Sequence, residues 1–332
     1  MIKKISGYLF IIIIVSIIYP VLSYGQTASS NLLDLTVSPT NPEPLQSVTA
    51  NLQSYSYDLD RSEITWSVNG VIKKTEIGLK NFTAQAGKNG EKTTITVSVN
   101  VPGDSPKEIS ASFAPAVVDL VYESLAYAPP FYKGKILNPT QGVVLVVALP
   151  ELINSAGGKI PVNNLIYSWK KNDRVEQASS GFGKNTFMFS GSVPVRDTLI
   201  EVTVSSLDGS VSAYKSVNIT NIPPKILFYE NSPVYGIMFN KAIVNPVNML
   251  ADEFGILAMP YFYSVGYATT PDLNFAWTMN SQPVGNQDPK NSFTVRTDVA
   301  GSGTANIGLK ISNNVRIFQF TDSKYSVNFN KQ

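Results

Sequence analysis

From Leu33 onward the chain is a succession of short runs in which apolar and polar residues alternate, parted by Gly, Pro, Asn and Asp. A period of two puts every second side chain on one face of a strand, so these runs read as half-buried β-strands. Three runs stand apart because each holds one of the three tryptophans: Ile64-Thr65-Trp66-Ser67-Val68-Asn69-Gly70, Tyr167-Ser168-Trp169-Lys170-Lys171-Asn172-Asp173 and Phe275-Ala276-Trp277-Thr278-Met279-Asn280-Ser281. Ile64, Tyr167 and Phe275 share a face with the Trp two residues on, whereas Thr65, Ser168 and Ala276 turn the other way. Asn follows each Trp by three residues, and then comes Gly, Asp or Ser. Those residues tolerate the positive φ of a tight hairpin turn. The pattern predicts a strand with a buried Trp running into a hairpin, three times, at spacings of 103 and 108 residues.

Other matches put the second and third units in register. Tyr122-Glu123 corresponds to Tyr229-Glu230 and Asn138-Pro139 to Asn245-Pro246, both at an offset of 107. Asn185-Thr186-Phe187 is echoed by Asn291-Ser292-Phe293, and Ser216-Val217-Asn218-Ile219 by Ser326-Val327-Asn328-Phe329. Each unit closes on an expected hairpin. The first is Thr93–Val99 with Glu108–Phe113 around Pro102-Gly103, and the second is Leu199–Val204 with Val211–Val217 around Asp208-Gly209. The third is Ala305–Ile311 with Val315–Phe320 around Asn313-Asn314. Leu33–Val37, Val118–Tyr122 and Ile226–Tyr229 read as opening strands, and Val143–Leu149 as a further one.

About seven short strands per hundred residues, a Trp on a middle strand and no long helical period predict an all-β chain of three tandem Ig-like β-sandwiches. The expected boundaries are a signal peptide over 1–25 and domains over 26–116, 117–222 and 223–332. The chain resembles the tandem Ig-like or PKD-like modules of bacterial surface proteins in this strand spacing and in the recurring aromatic-x-Trp followed by Asn-Gly. It departs from antibody-type domains in lacking a Cys pair around the Trp. The stretch from Tyr122 to Lys135 also resembles exported proteins of small-genome bacteria, from which no activity carries over.

Lys3 and Lys4 precede an apolar run, Tyr8–Tyr19, then Pro20 and small residues. That order matches a secretory signal peptide, with Ser23 and Gly25 at the −3 and −1 positions and cleavage before Gln26. If it stays uncleaved, the same run is a membrane anchor, and it is the one expected membrane contact. Of the 332 residues only 15% are charged, and the balance is +2, too weak a field to gather nucleic acid. With no His and no Cys, triads, thiol nucleophiles, disulfides and imidazole or thiolate metal sites are excluded. No catalytic residue and no cofactor are expected.

Two places invite a ligand. Asp58, Asp60 and Glu63 offer oxygen atoms of the kind Ca²⁺ takes, without the glycine-containing loop of an EF-hand; the plainer reading is a solvated turn. Tyr127, Phe131 and Tyr132, beside Tyr122, Lys133 and Lys135, could stack on a sugar or anchor a protein. The alternative is a joint: stiff Pro129-Pro130 and its aromatics packing the first and second domains together. Tyr261 and Tyr263, near Phe262 and Tyr267, are read the same way, and their alternation fits one face of a sheet. Gly181-Phe182-Gly183-Lys184 lacks phosphate-loop spacing, while Asn81-Phe82-Thr83 and Asn218-Ile219-Thr220 are glycosylation sequons. Trp66, Trp169 and Trp277 are assigned to the core. The whole predicts an exported, non-enzymatic structural or adhesion protein meeting a protein or glycan at the cell surface. A carbohydrate-binding surface protein and a subunit of a secreted appendage or envelope assembly are the alternatives.

Overall fold

The computed structural model describes residues 32–331 apart from 192, 194, 195 and 299, so the expected signal segment lies outside the described residues. Domain one contains strands Asp34–Ser38 (β1), Ser47–Gln53 (β2), Glu63–Val68 (β3), Val71–Ile77 (β4), Asn81–Gln85 (β5), Thr93–Asn100 (β6) and Lys107–Phe113 (β7). They form two antiparallel sheets, β1-β2-β5 and β4-β3-β6-β7. Domain two repeats the plan with Val117–Ser124 (β8), Val143–Glu151 (β9), Ile166–Lys171 (β10), Arg174–Val175 (β11), Gly181–Phe182 (β12), Thr186–Ser190 (β13), Thr198–Ser205 (β14) and Ser212–Ile219 (β15). Its sheets are β8-β9-β13 and β11-β10-β14-β15, with β12 also on β10.

Domain three comprises Lys225–Ser232 (β16), Gly236–Ala242 (β17), Val247–Asn248 (β18), Glu253–Tyr261 (β19), Leu273–Met279 (β20), Gln282–Pro283 (β21), Ser292–Arg296 (β22), Gly301–Asn313 (β23) and Phe320–Lys331 (β24). Its sheets are β17-β16-β19-β22 and β18-β24-β23-β20-β21. Two facing sheets linked in this order, with the Trp strand central in the second, make each unit an Ig-like sandwich. Domain three adds the β17 edge and lays β18 parallel to β24. The corresponding connection in domain two makes a single parallel bridge, Pro139 to Ile222. The sequence match of Asn138-Pro139 with Asn245-Pro246 therefore marks the same crossing from one sheet edge to the other.

The tryptophans occupy equivalent interiors. Trp66 and Trp169 are fully buried and Trp277 nearly so. Each indole Nε1–H donates to a backbone carbonyl at 2.9 Å, that of Leu79, Lys184 or Lys290. Each ring stacks on a Phe of the facing sheet: Trp66 on Phe82 (5.3 Å), Trp169 on Phe187 (5.7 Å) and Trp277 on Phe293 (5.1 Å). Burial of the indole without that hydrogen bond would leave a costly unpaired donor. The Asn three residues on takes φ near 50° in all three turns, Asn69, Asn172 and Asn280, and the next residue is also left-handed. Its carboxamide has a second task. Oδ1 accepts the backbone N–H of Thr94, Leu199 or Asn306 while the Asn N–H donates to the carbonyl of the same residue. The hairpin turn is thereby tied to the neighbouring strand of its sheet.

Two pattern readings are corrected. The third closing hairpin pairs β23 with β24, but the return strand starts at Phe320, not Val315. Asn313 Oδ1 accepts the N–H groups of Val315 and Arg316, which folds residues 314–319 into a loop whose Val315 and Ile317 are exposed. Tyr122 and Tyr229, matched in sequence, point to opposite sides. Tyr122 packs on the domain-two core with Val118 and Leu120, whereas Ile226 and Phe228 face the domain-three core and Tyr229 lies in a separate outer cluster. A one-residue slip is enough to reverse a strand's faces.

Candidate functional site

The aromatics of residues 127–136 pack against domain three, not domain one as the joint reading expected. The long loop after β8 leaves domain two and lies across the outer face of β16 and β19. There Tyr229, Leu257, Met259, Tyr261 and Phe262 are buried with Tyr127, Phe131, Tyr132 and Ile136 against them. Phe131 stacks on Phe239 of β17 at 4.2 Å and meets Tyr229 edge-on at 5.6 Å. Tyr132 makes edge contacts with Tyr261 and Phe262, each at 5.7 Å. The Tyr229 and Tyr261 hydroxyls share a 2.8 Å hydrogen bond inside this apolar shell. Edge-to-face pairs of this kind add stabilisation beyond area burial.

Backbone bonds sew the same joint. Tyr127 N–H donates to the Tyr263 carbonyl, and Phe262 N–H returns to the Tyr127 carbonyl, both at 2.7 Å. Gln319, fully buried, donates through Nε2 to the Thr140 carbonyl of domain two (2.8 Å) and to Ser264 Oγ (2.7 Å). Its Oε1 accepts from the Ser264 N–H and from Asn313 Nδ2. Tyr261 and Tyr263 do not share a face. Phe262 between them adopts φ +63°, so the strand alternation breaks. Tyr261 goes to the joint, and Tyr263 enters the domain-three core, where its hydroxyl donates to the Ile311 carbonyl at 3.2 Å. Burial pushes the Tyr261 and Tyr263 phenols, and that of Tyr127, above the ordinary tyrosine range.

The sequence reading missed Tyr229, Phe239, Leu257, Met259 and Gln319. A signal for two of them, Leu257 and Met259, was present: Ile256-Leu257-Ala258-Met259-Pro260-Tyr261 is apolar or Pro at every position, and such a run marks a strand covered on both faces. By contrast, the joint between domains one and two is mostly polar. It contains the Lys215–Glu43 ion pair (3.0 Å), Ser212 Oγ donating to Asn41 Oδ1, and Asn89 Nδ2 donating to the Glu151 carbonyl.

The acidic residues lie at the far end of domain one, between β2 and β3. Asp58 caps a single 3-10 turn by accepting the Asp60 N–H, and pairs with Arg61 at 3.5 Å. Asp60 pairs with Lys80 at 2.9 Å, and Glu63 opens β3 on the solvent side. Among the described residues no three His, Cys, Asp or Glu side chains gather as a metal-ligand group. Asn51, Gln53, Tyr55, Tyr57, Asp58, Asp60, Lys80 and Asn81 border an open cleft of about 410 Å³. Tyr55, absent from the sequence reading, is 100% exposed there. The glycine stretch at 181–184 is the β12 bend; Lys184 Nζ is spent on the Ala178 carbonyl at 2.7 Å. Asn81 and Asn218 are both exposed on strands. No helix among the described residues is long and apolar enough to cross a membrane.

No family profile and no curated protein matches the chain. Among solved structures it is similar to fibronectin(III)-like modules of CbhA from Clostridium thermocellum, at 11% identity over 57% of this chain and 94% of that one, with a TM-score of 0.28. Immunoglobulin domains 1–5 of Sidekick-1 are 10% identical over 90% of this chain and 59% of that one, TM-score 0.31. Three N-terminal domains of the Hoc outer capsid protein of bacteriophage RB49 are 11% identical over 90% and 99%, TM-score 0.25. These likenesses are of fold alone.

Proposed function

We propose that the protein is an exported, non-enzymatic surface protein in which three sandwiches carry a recognition end at a set reach. A tandem array of Ig-like domains accords with a structural or adhesion role. The observation that carries the reading is the joint of domains two and three. Packing Phe131 and Tyr132 onto buried Tyr229 and Tyr261 between two modules gives the pair a fixed direction, which is what a spacer needs. The short connection Ala114-Pro115-Ala116, itself buried, limits the swing of domain one. Export rests on the N-terminal basic-apolar-small pattern, and the expected partner is a protein or glycan at the cell surface.

Two measurements test this. Mass spectrometry of the native protein should find a mature chain beginning at Gln26, and protease added to intact cells should remove it. A chain keeping Lys3-Lys4 and protected inside the cytosol would overturn the reading.

A further inference from the structure

We infer that the cleft beside the β2–β3 loop of domain one binds a neutral glycan. The inference deepens the surface-recognition reading, but it concerns the purified chain and can fail or succeed independently of export. Strand order puts the loop between β2 and β3 at the end of domain one away from domain two, because β1 starts there and the loops touching domain two lie opposite. The equivalent loops of the other domains are committed to joints. Ile153 of domain two faces Gly90, and Phe262 and Tyr263 bond to Tyr127. Among the described residues, domain one alone leaves this loop open.

Domain three shows what the position accommodates. There the outer face beside the loop is Leu257, Met259 and Tyr261, and an aromatic segment of domain two lies on it. In domain one the outward positions of β2 are Thr49, Asn51 and Gln53, with Asn81 opposite Asn51 on β5. The same place is therefore hydrophilic, and no other described residue lies across it. The carboxamides of Asn51, Gln53 and Asn81 have no protein partner among the described residues. The charged groups cancel, Asp58 with Arg61 and Asp60 with Lys80, so the cleft has no net attraction for phosphate or a carboxylate. Tyr55 supplies an uncovered aromatic face at the rim.

The loop is held ready. Ser54 Oγ accepts the N–H groups of Ser56 (3.1 Å) and Tyr57 (3.0 Å) and donates to the Leu32 carbonyl, while Leu59 plugs into the core. Ser-Tyr-Ser-Tyr-Asp is also the composition of rigid, adaptable binding loops, in which Tyr gives area at low entropic cost. A pyranose presents an apolar C–H face and a ring of hydroxyls. The aromatic ring fits the first, and the carboxamides, each donor and acceptor, fit the second.

The test uses the full mature chain with Asn81 unmodified, on an array of short neutral glucan, mannan and chitin oligosaccharides beside sialylated ones. At least one neutral series should bind. Tyr55→Ala and Asn51→Ala should each weaken it about tenfold, and Tyr235→Ala, on the exposed domain-three hairpin, should leave it unchanged. Tyr55→Ala should keep the parent melting temperature, since the ring is fully exposed among the described residues. Failure of every neutral oligosaccharide at about millimolar concentration, binding of sialylated glycans alone, or undiminished binding by Tyr55→Ala would each refute the inference.

Discussion

At the residue scale, the repeating instruction is a pair: a Trp that anchors two sheets, and an Asn that both makes the turn and ties it to the next strand. The Asn is legible in sequence only as a turn former. That Asn172 also exchanges two backbone-directed bonds with Leu199 depends on a residue 27 positions away, which local pattern cannot reveal. Asn172→Gly would preserve the positive φ and lose the tether, whereas Asn172→Asp would keep the acceptor. Chemical denaturation should therefore place Asn172→Gly about 1 kcal/mol below the parent and Asn172→Asp nearer to it. Equal loss in both would mean that the acceptor contributes nothing.

The buried phenols set a second expectation at this scale. Burial pushes Tyr167 up to about 12 and Tyr261, Tyr263 and Tyr325 higher still. In the unfolded chain they ionise near pH 10. Above that pH the unfolded state has released protons that the folded state retains, so stability falls as pH rises. Melting temperature should hold below about pH 10 and drop from there toward 12 in the unfolding of domains two and three, which hold all four, and not in that of domain one. A flat profile through that range would contradict the burial of these rings.

At the element scale, alternation located strands well and their neighbours poorly. The Asp208-Gly209 hairpin pairs Thr198–Ser205 with Ser212–Ile219 because both strands alternate and the turn residues leave little choice. Val315–Gln319 alternates just as well, yet Asn313 and Gln319 hold it as a loop at the joint. The aromatics at 127–132 were legible as a buried contact, but not as one with domain three. A run of rings announces that something covers it without saying which surface does. β17 and β18 were missed because an edge strand and a two-residue parallel pairing carry almost no periodic signal. The role of the domain-two loop is testable. Phe131→Ala removes a stacked and an edge contact from a half-buried ring and should cost about 1.5 kcal/mol. The cost should appear as faster hydrogen exchange in β16, β17 and β19, with β10 and β14 unaffected. Uniform exchange throughout domain three in the parent would show the loop to be no brace.

At the scale of the whole molecule, the two joints differ in chemistry and so in stiffness. An aromatic interface with buried backbone bonds and the Gln319 hub couples domains two and three. Domain one meets domain two through one exposed ion pair and side-chain hydrogen bonds, which are individually weak. The backbone comes close at Gly90, in left-handed conformation at φ +77°, where an added Cβ would sit 2.6 Å from Ile153 Cβ. Calorimetry should therefore resolve two transitions, one for domain one and one shared by domains two and three. Raising salt should loosen the first joint by screening Lys215–Glu43 and leave the second in place. Gly90→Ala should widen the range of domain-one orientations in small-angle scattering while the shared transition keeps its temperature. Three independent transitions in the parent would mean that the aromatic joint does not couple its domains, and the fixed reach ascribed to the array would go with it.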